Sequence, residues 1–147
     1  MKKPHEFSGG YQLARRRPGE VQFLQHIEGA WQETVFAFGS VAVALAHAAR
    51  ENWDAWFLVA GRRTSLRQVV ALSVLQREEG QTTLAMLRLC VGGSAGATLT
   101  DAFHLDAMGW TAFPNGQQGR VHSMLIALTD QGREAADDAA WIMEDKP

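Results

Sequence analysis

Residues 94 to 108 carry polar side chains at a spacing that suits contact with DNA. Thr100 and His104 lie four residues apart, so in a helix they occupy one face, a single turn apart. A hydroxyl and an imidazole can both hydrogen-bond with base edges in a major groove. Phe103 is expected on the same outward side. This leaves open a second interpretation, in which the face contacts a protein and reads no base.

The sequence from residue 65 onward predicts the elements that would hold this segment outward: a helix, a short helix, a third helix, a hairpin and a final helix. Ser94 is a suitable N-cap for the third helix, and Gly109 is a suitable end. Gly92-Gly93 forms a turn before it, and Pro114-Asn115-Gly116 is a turn signal within the hairpin. Two helices joined by a glycine-containing turn and followed by a hairpin are the layout of a winged helix-turn-helix.

Residues 19 to 60 carry apolar side chains at intervals of three and four, which is typical of one helix face. The series begins with Val21, Leu24 and Ile27 and continues through Trp31 and Val35. We therefore predict amphipathic helices in this segment.

Charge is distributed unevenly along the chain, although the formal net charge is only −2. Residues 1 to 18 include Arg15, Arg16 and Arg17 among prolines and glycines, which predicts a basic flexible arm. From residue 82 to residue 128, two arginines are balanced by two aspartates. Because lysine and arginine contacts to phosphates supply most non-specific affinity for DNA, we expect the arm to add contacts that the neutral segment lacks.

Three parts of the chain between residues 65 and 140 share motifs with one known family. Ser65-Leu66-Arg67-Gln68 opens a helix where that family has threonine-leucine-proline-glutamine, and the strand 125–133 ends in leucine-threonine, two variable residues and glycine. The positions that match its recognition helix are Ser94, Leu105, Asp106, Gly109 and Trp110. The chain thus resembles the MarR-type (multiple antibiotic resistance regulator) winged-helix transcription factors. The positions where that family commonly has recognition-helix arginines, or a wing aspartate and arginine, are here Thr100, His104, Met108, Arg120 and His122.

The resemblance implies a mostly α fold, a winged helix-turn-helix with N- and C-terminal dimerisation helices. Residues 19–147 would form a single domain after the arm, with dimerisation helices over 19–60, the winged helix-turn-helix over 64–128 and a C-terminal helix over 129–147. The protein would then be a homodimer that binds double-stranded DNA as a transcriptional regulator. The residues expected at DNA are Ser94, Ala95, Gly96, Thr98, Thr100, His104, Gln117, Gln118, Arg120, His122, Arg15, Arg16 and Arg17.

Many members of that family also bind a small-molecule effector, so the resemblance implies a ligand pocket beside the dimer core. The candidate lining residues are Trp53, Trp56, Arg62, Arg63 and Arg67. The alternatives are a packed aromatic core for the tryptophans and a solvated face for the arginines.

The composition argues against several other classes of protein. The single cysteine, Cys90, excludes a disulfide framework and favours the cytoplasm. No histidines are paired at metal-ligand spacing, so we predict neither a metal nor a cofactor. The longest uncharged run, residues 34–49, is too short for a membrane span, and no catalytic motif points to an enzyme. Two functions stay open: a MarR-like DNA-binding regulator, or a winged-helix protein-interaction module that has lost DNA reading.

Overall fold

The computed structural model describes residues 11–17, 20–53, 56–117, 120 and 123–143 of the chain. These residues divide into two compact units. The first ends at Leu66 and also takes in the chain from Trp141 onward, and the second runs from Arg67 to Ala140.

The first unit is built on a five-stranded mixed sheet. Its elements are, in chain order, β1 (Tyr11–Arg17), β2 (Glu20–Ile27), β3 (Ala30–Phe38), α1 (Val41–Arg50), β4 (Trp56–Val59) and β5 (Arg62–Thr64). The strand order is β3-β2-β1-β4-β5, with β1 and β4 parallel and the other neighbours antiparallel. The mostly α fold predicted from the sequence is therefore wrong, because the described chain is an α/β protein.

Strands replace the predicted dimerisation helices over 19–60, and α1 is the one helix among the described residues of that range. Side chains on β2 alternate between the two faces of the sheet, so that Val21 and Phe23 share one face and Leu24 lies on the other. Glu28 and Gly29 both have positive φ, 52° and 82°, which suits the tight turn that joins β2 to β3. A spacing of three can thus be mistaken for a helix face when both faces of a strand are apolar.

An aromatic cluster fills one side of this sheet, where α1 packs against β2 and β3. The ring of Trp53 lies 4.2 Å from that of Tyr11, 5.4 Å from that of Phe23 and 4.9 Å from that of Phe36, centroid to centroid. The imidazole of His47, on α1, lies 5.1 Å from the Trp53 ring. Burial raises the pKa of the Tyr11 phenol above its ordinary value. This cluster is a packed core.

The basic flexible arm predicted over residues 1–18 is also wrong for its C-terminal part. Residues 11–17 form β1, a central strand in which Arg15 pairs with Val21 and Arg17 with Glu20. Residues 1–10 lie outside the described residues. Pairing with β2 along this strand, and with β4 at Gln12 and Leu13, removes the freedom that a DNA-searching arm needs.

The second unit combines four helices with a small antiparallel sheet. Its elements are α2 (Leu66–Arg77), β6 (Gln81–Thr83), α3 (Leu84–Val91), α4 (Ala95–Ala107), β7 (Thr111–Ala112), β8 (Leu125–Leu128) and α5 (Asp130–Met143). The sheet order is β6-β8-β7. This sequence of elements matches the order predicted from residue 65 onward, with β6 as an additional strand.

Hydrogen bonds of Thr129 join the start of α5 to Gly109 and Trp110, the two residues that precede β7. The hydroxyl of Thr129 donates to the carbonyl of Gly109 at 2.6 Å and accepts from the amide of Gly132 at 3.0 Å, and the Thr129 amide donates to the carbonyl of Trp110 at 3.0 Å. A β-carbon on Gly132 would overlap the carbonyl group of Trp110. The leucine-threonine-x-x-glycine motif therefore has a structural basis: threonine caps the helix, and glycine permits the close approach.

In the part of the chain that the structure describes, every helix falls short of the length and apolar character that a membrane crossing requires.

Candidate nucleic-acid interface

Helix α4 begins with a side-chain cap and exposes one face. The Ser94 hydroxyl accepts a hydrogen bond from the Ala97 amide at 3.0 Å, as predicted for an N-cap. Ala102 and Leu105 are buried against the rest of the unit. The exposed residues of the helix are Ala95, Gly96, Thr100, Phe103, His104, Asp106 and Ala107. This face carries small and polar side chains around one aromatic ring.

Thr98 and Thr100, both expected at DNA, have different positions. Thr98 is 4% exposed, and its hydroxyl donates to the Ser94 carbonyl at 3.2 Å, so it cannot reach a base. Thr100 is exposed, with its hydroxyl donating to the Gly96 carbonyl at 2.9 Å. A hydroxyl that donates inside the helix still has lone pairs for an outside donor, so Thr100 stays available as an acceptor.

His104 is exposed on α4 and is contacted from α2. The amide nitrogen of Gln68, a buried side chain, lies 3.4 Å from Nδ1 of His104. An amide donor at Nδ1 favours the tautomer with the proton on Nε2. His104 would then present a donor to its surroundings.

A fork of hydrogen bonds from Arg67 joins α2 to α4 and to the turn between α3 and α4. Its Nε donates to Oδ2 of Asp101 at 2.7 Å, and its Nη2 donates to the carbonyl of Gly92 at 2.9 Å. From the end of α3, Nε of Arg88 donates to the carbonyl of Gly93 at 3.1 Å. Arg67 was predicted to line an effector pocket, and its contacts with Asp101 and Gly92 were not predicted. No signal in the sequence pairs Arg67 with Asp101, 34 residues away.

The predicted wing corresponds to the loop between β7 and β8. These two strands pair antiparallel, and residues 114 to 117 after β7 are exposed, Gln117 among them. The ring of Phe113 lies 5.9 Å from that of Phe103, edge to face, so the base of this loop touches the exposed face of α4. Arg120 is exposed, whereas Gln118 and His122 lie outside the described residues.

The electrostatics of this surface are close to neutral or acidic. Helix α4 contains no lysine or arginine, and residues 67–140 hold five arginines against eight aspartates and glutamates. Arg67 and Arg88 direct hydrogen bonds to the turn between α3 and α4. Arg15, Arg16 and Arg17 lie on β1 in the first unit and not in an arm. Helix α4 therefore lacks the cationic side chains with which strong DNA binders contact phosphates.

The five candidate ligand-binding residues have different local surroundings. Trp53 belongs to the aromatic cluster of the first unit. The guanidinium of Arg63 stacks over the Trp56 ring, with Cζ 3.8 Å from the ring centroid. Arg62 is exposed on β5, and Arg67 makes the fork described above. Of the five, Trp56 and Arg63 are the pair whose side chains the structure brings together.

Metal binding and the single cysteine were the two other features considered from the sequence. Within the described ranges, no three His, Cys, Asp or Glu side chains come together as a metal site requires. Cys90 is exposed on α3 and accepts a hydrogen bond from Arg77 at 3.3 Å.

A comparison with protein-family models found no match to this chain, and a comparison with curated protein sequences found no significant match. The resemblance to MarR-type regulators stays a prediction, and it concerns only the segment that forms the second unit.

Proposed function

We propose that the second unit is a DNA-binding head in which α4 enters the major groove and the loop between β7 and β8 contacts the neighbouring backbone. The observation that carries this proposal is the exposed outer face of α4, capped by Ser94 and set beside an exposed hairpin loop. Thr100 and His104 lie on that face, where base edges would be read. Thr98 was expected to contact DNA, but it is buried and is not one of the proposed DNA-contacting residues.

Weak, moderately salt-dependent binding is expected from such a head. Few cationic side chains surround α4, so few counterions would be released when DNA binds. Backbone amides at the N-terminus of α4 can contact phosphate without charged side chains. Two heads bound together would compensate for the weakness of one, so the proposal includes a homodimer that acts as a cytoplasmic transcriptional regulator. The predicted dimerisation helices are not part of it.

The proposal is tested by a fluorescence anisotropy titration of the full chain against the DNA flanking its own gene and against random DNA, across a salt series. The Thr100→Ala, His104→Ala double variant is expected to lose discrimination between the two DNAs, by about 1 to 3 kcal/mol for each good base contact. His26→Ala is the matched control, because it removes an exposed histidine from β2 of the first unit.

Arginine at the same two positions gives the converse measurement. The Thr100→Arg, His104→Arg variant is expected to bind both DNAs more tightly and to steepen the salt dependence, by a slope of about one for each new phosphate contact. If the parent binds DNA and neither double variant changes that binding, α4 does not face DNA.

A protein-contact module is the second candidate, and Phe103 favours it. This side chain is 40% exposed on a helix face without cations, and Leu89 on α3 is 79% exposed. Exposed aromatic side chains are typical of protein interfaces. If the alanine double variant binds DNA as the parent does while Phe103→Ala abolishes pull-down of a protein partner, the module replaces the DNA-binding head.

A further inference from the structure

The fork of Arg67 is built into the turn that it contacts. Gly93 has a φ of +88°, and a β-carbon there would lie 2.9 Å from Nη1 of Arg67, so any other residue would displace the guanidinium. The glycine thus lets the guanidinium approach the turn while its Nη2 donates to the neighbouring carbonyl of Gly92. Arg88 holds the same turn from α3. Two arginines from different helices therefore fix the geometry between α3 and α4.

The same guanidinium fixes α4 itself. Asp101 and His104 are three residues apart on α4, so they lie on the same side of that helix. Their partners, Arg67 and Gln68, are adjacent on α2. The two contacts, Arg67 with Asp101 and Gln68 with His104, therefore lie side by side between the helices. The Asp101 side chain is only 15% exposed, so the pair is shielded on the acid's side. A lysine could not reproduce this arrangement, because an ammonium lacks the planar fork that reaches two acceptors in fixed directions.

We propose that Arg67 is a positioning residue for DNA reading: through Asp101 and Gly92 it holds the exposed face of α4 in the orientation that the groove requires, and it does not contact DNA. This inference rests on the proposed function. Nε and Nη2 of Arg67 each donate to a protein oxygen, so two of its N–H groups are already engaged within the protein and cannot also bind a phosphate. A partly exposed ion pair contributes little to stability, yet it can fix a geometry on which binding depends.

Asp101→Asn separates positioning from simple electrostatics. Removing a negative charge from α4 should, by Coulomb attraction alone, tighten the binding of a polyanion. The asparagine amide oxygen is a weaker acceptor for Nε of Arg67 than the carboxylate, so the fork loses its charge-assisted bond. The weakened fork should instead lower binding of the flanking DNA by about tenfold, the size of one good base contact, with the salt slope unchanged. Asp106→Asn is the matched control, since it removes the same charge from an exposed position on the same helix.

Arg67→Lys provides a second variant that keeps the charge. It is expected to weaken binding with the parental salt slope, and circular dichroism checks that each variant is folded at the assay temperature. Arg67→Gln removes the charge as well, and a fall in its salt slope of about one would show that Arg67 contacts phosphate and would overturn the inference. Parental or tighter binding by Asp101→Asn would overturn it as well. Absence of DNA binding by the parent is a separate result, which would overturn the proposed function and this inference with it.

Discussion

Gly132→Ala is expected to destabilise the protein by about 3 kcal/mol or more, at the upper end of what overpacking usually costs. Position 132 lies in the first turn of α5, where alanine would ordinarily be the better helix former. Here the added methyl would overlap the carbonyl of Trp110, a backbone group that cannot rotate away. Relief requires separating α5 from β7, which also breaks the hydrogen bond from the Thr129 amide to Trp110. Urea denaturation of the full chain, followed by far-ultraviolet circular dichroism, measures the loss.

Gly96→Ala is the matched control, because Gly96 also lies in the first turn of a helix. The nearest atom to a β-carbon there is the Ser94 hydroxyl oxygen at 3.8 Å, so the methyl would meet no obstacle. We expect this variant to gain up to about 1 kcal/mol from helix propensity. If both variants had the same sign of effect, the close approach at Gly132 would not be the reason for the glycine.

The order of elements in the second unit could be predicted because each boundary carries a local signal. Ser94 and Thr83 cap their helices with hydrogen bonds to amides three residues ahead, and glycines follow the helix ends. These signals depend only on neighbouring residues, so a sequence displays them directly. Strand β6 was missed because three residues, Gln81–Thr83, are too few to show an alternating pattern.

The first unit could not be predicted in the same way, because its apolar residues fit two periods. Val21, Leu24 and Ile27 satisfy a helical spacing, while Val21 and Phe23 satisfy an alternation of two. Both faces of the sheet bury side chains, so the apolar residues follow neither the helical spacing nor the alternation of a strand consistently. The Glu28-Gly29 pair was the local signal for a hairpin, and it lay within the stretch assigned to helix.

The candidate site was only partly predictable for a related reason. The exposed face of α4 follows from helical spacing, which is local. The fork of Arg67 depends on Asp101 and on the turn at Gly92, which the fold brings together from distant parts of the chain. The buried state of Thr98 likewise depends on which way α4 is rotated against its neighbours, a property of packing between elements.

Phe23→Ala is expected to destabilise the first unit by about 3 to 5 kcal/mol, the usual cost of removing a buried phenylalanine ring. Phe23 is fully buried, and its ring contacts those of Tyr11, Phe38 and Trp53 at centroid distances of 6.3, 6.1 and 5.4 Å. Truncation leaves a cavity that these rigid rings cannot close. Hydrogen exchange of the β1 and β2 amides measures the loss in that unit, with urea denaturation of the full chain beside it.

Val35→Ala makes the comparison sharp, because sheet and helix predict opposite outcomes for this residue. In a helix over this segment, Val35 would lie on the apolar face with Trp31 and Phe38 and would be buried. In the sheet, Val35 lies where the register between β2 and β3 shifts, and it is 91% exposed. Its truncation should therefore cost less than about 1 kcal/mol. A larger loss for Val35→Ala than for Phe23→Ala would contradict the sheet, since only a helix would bury the valine.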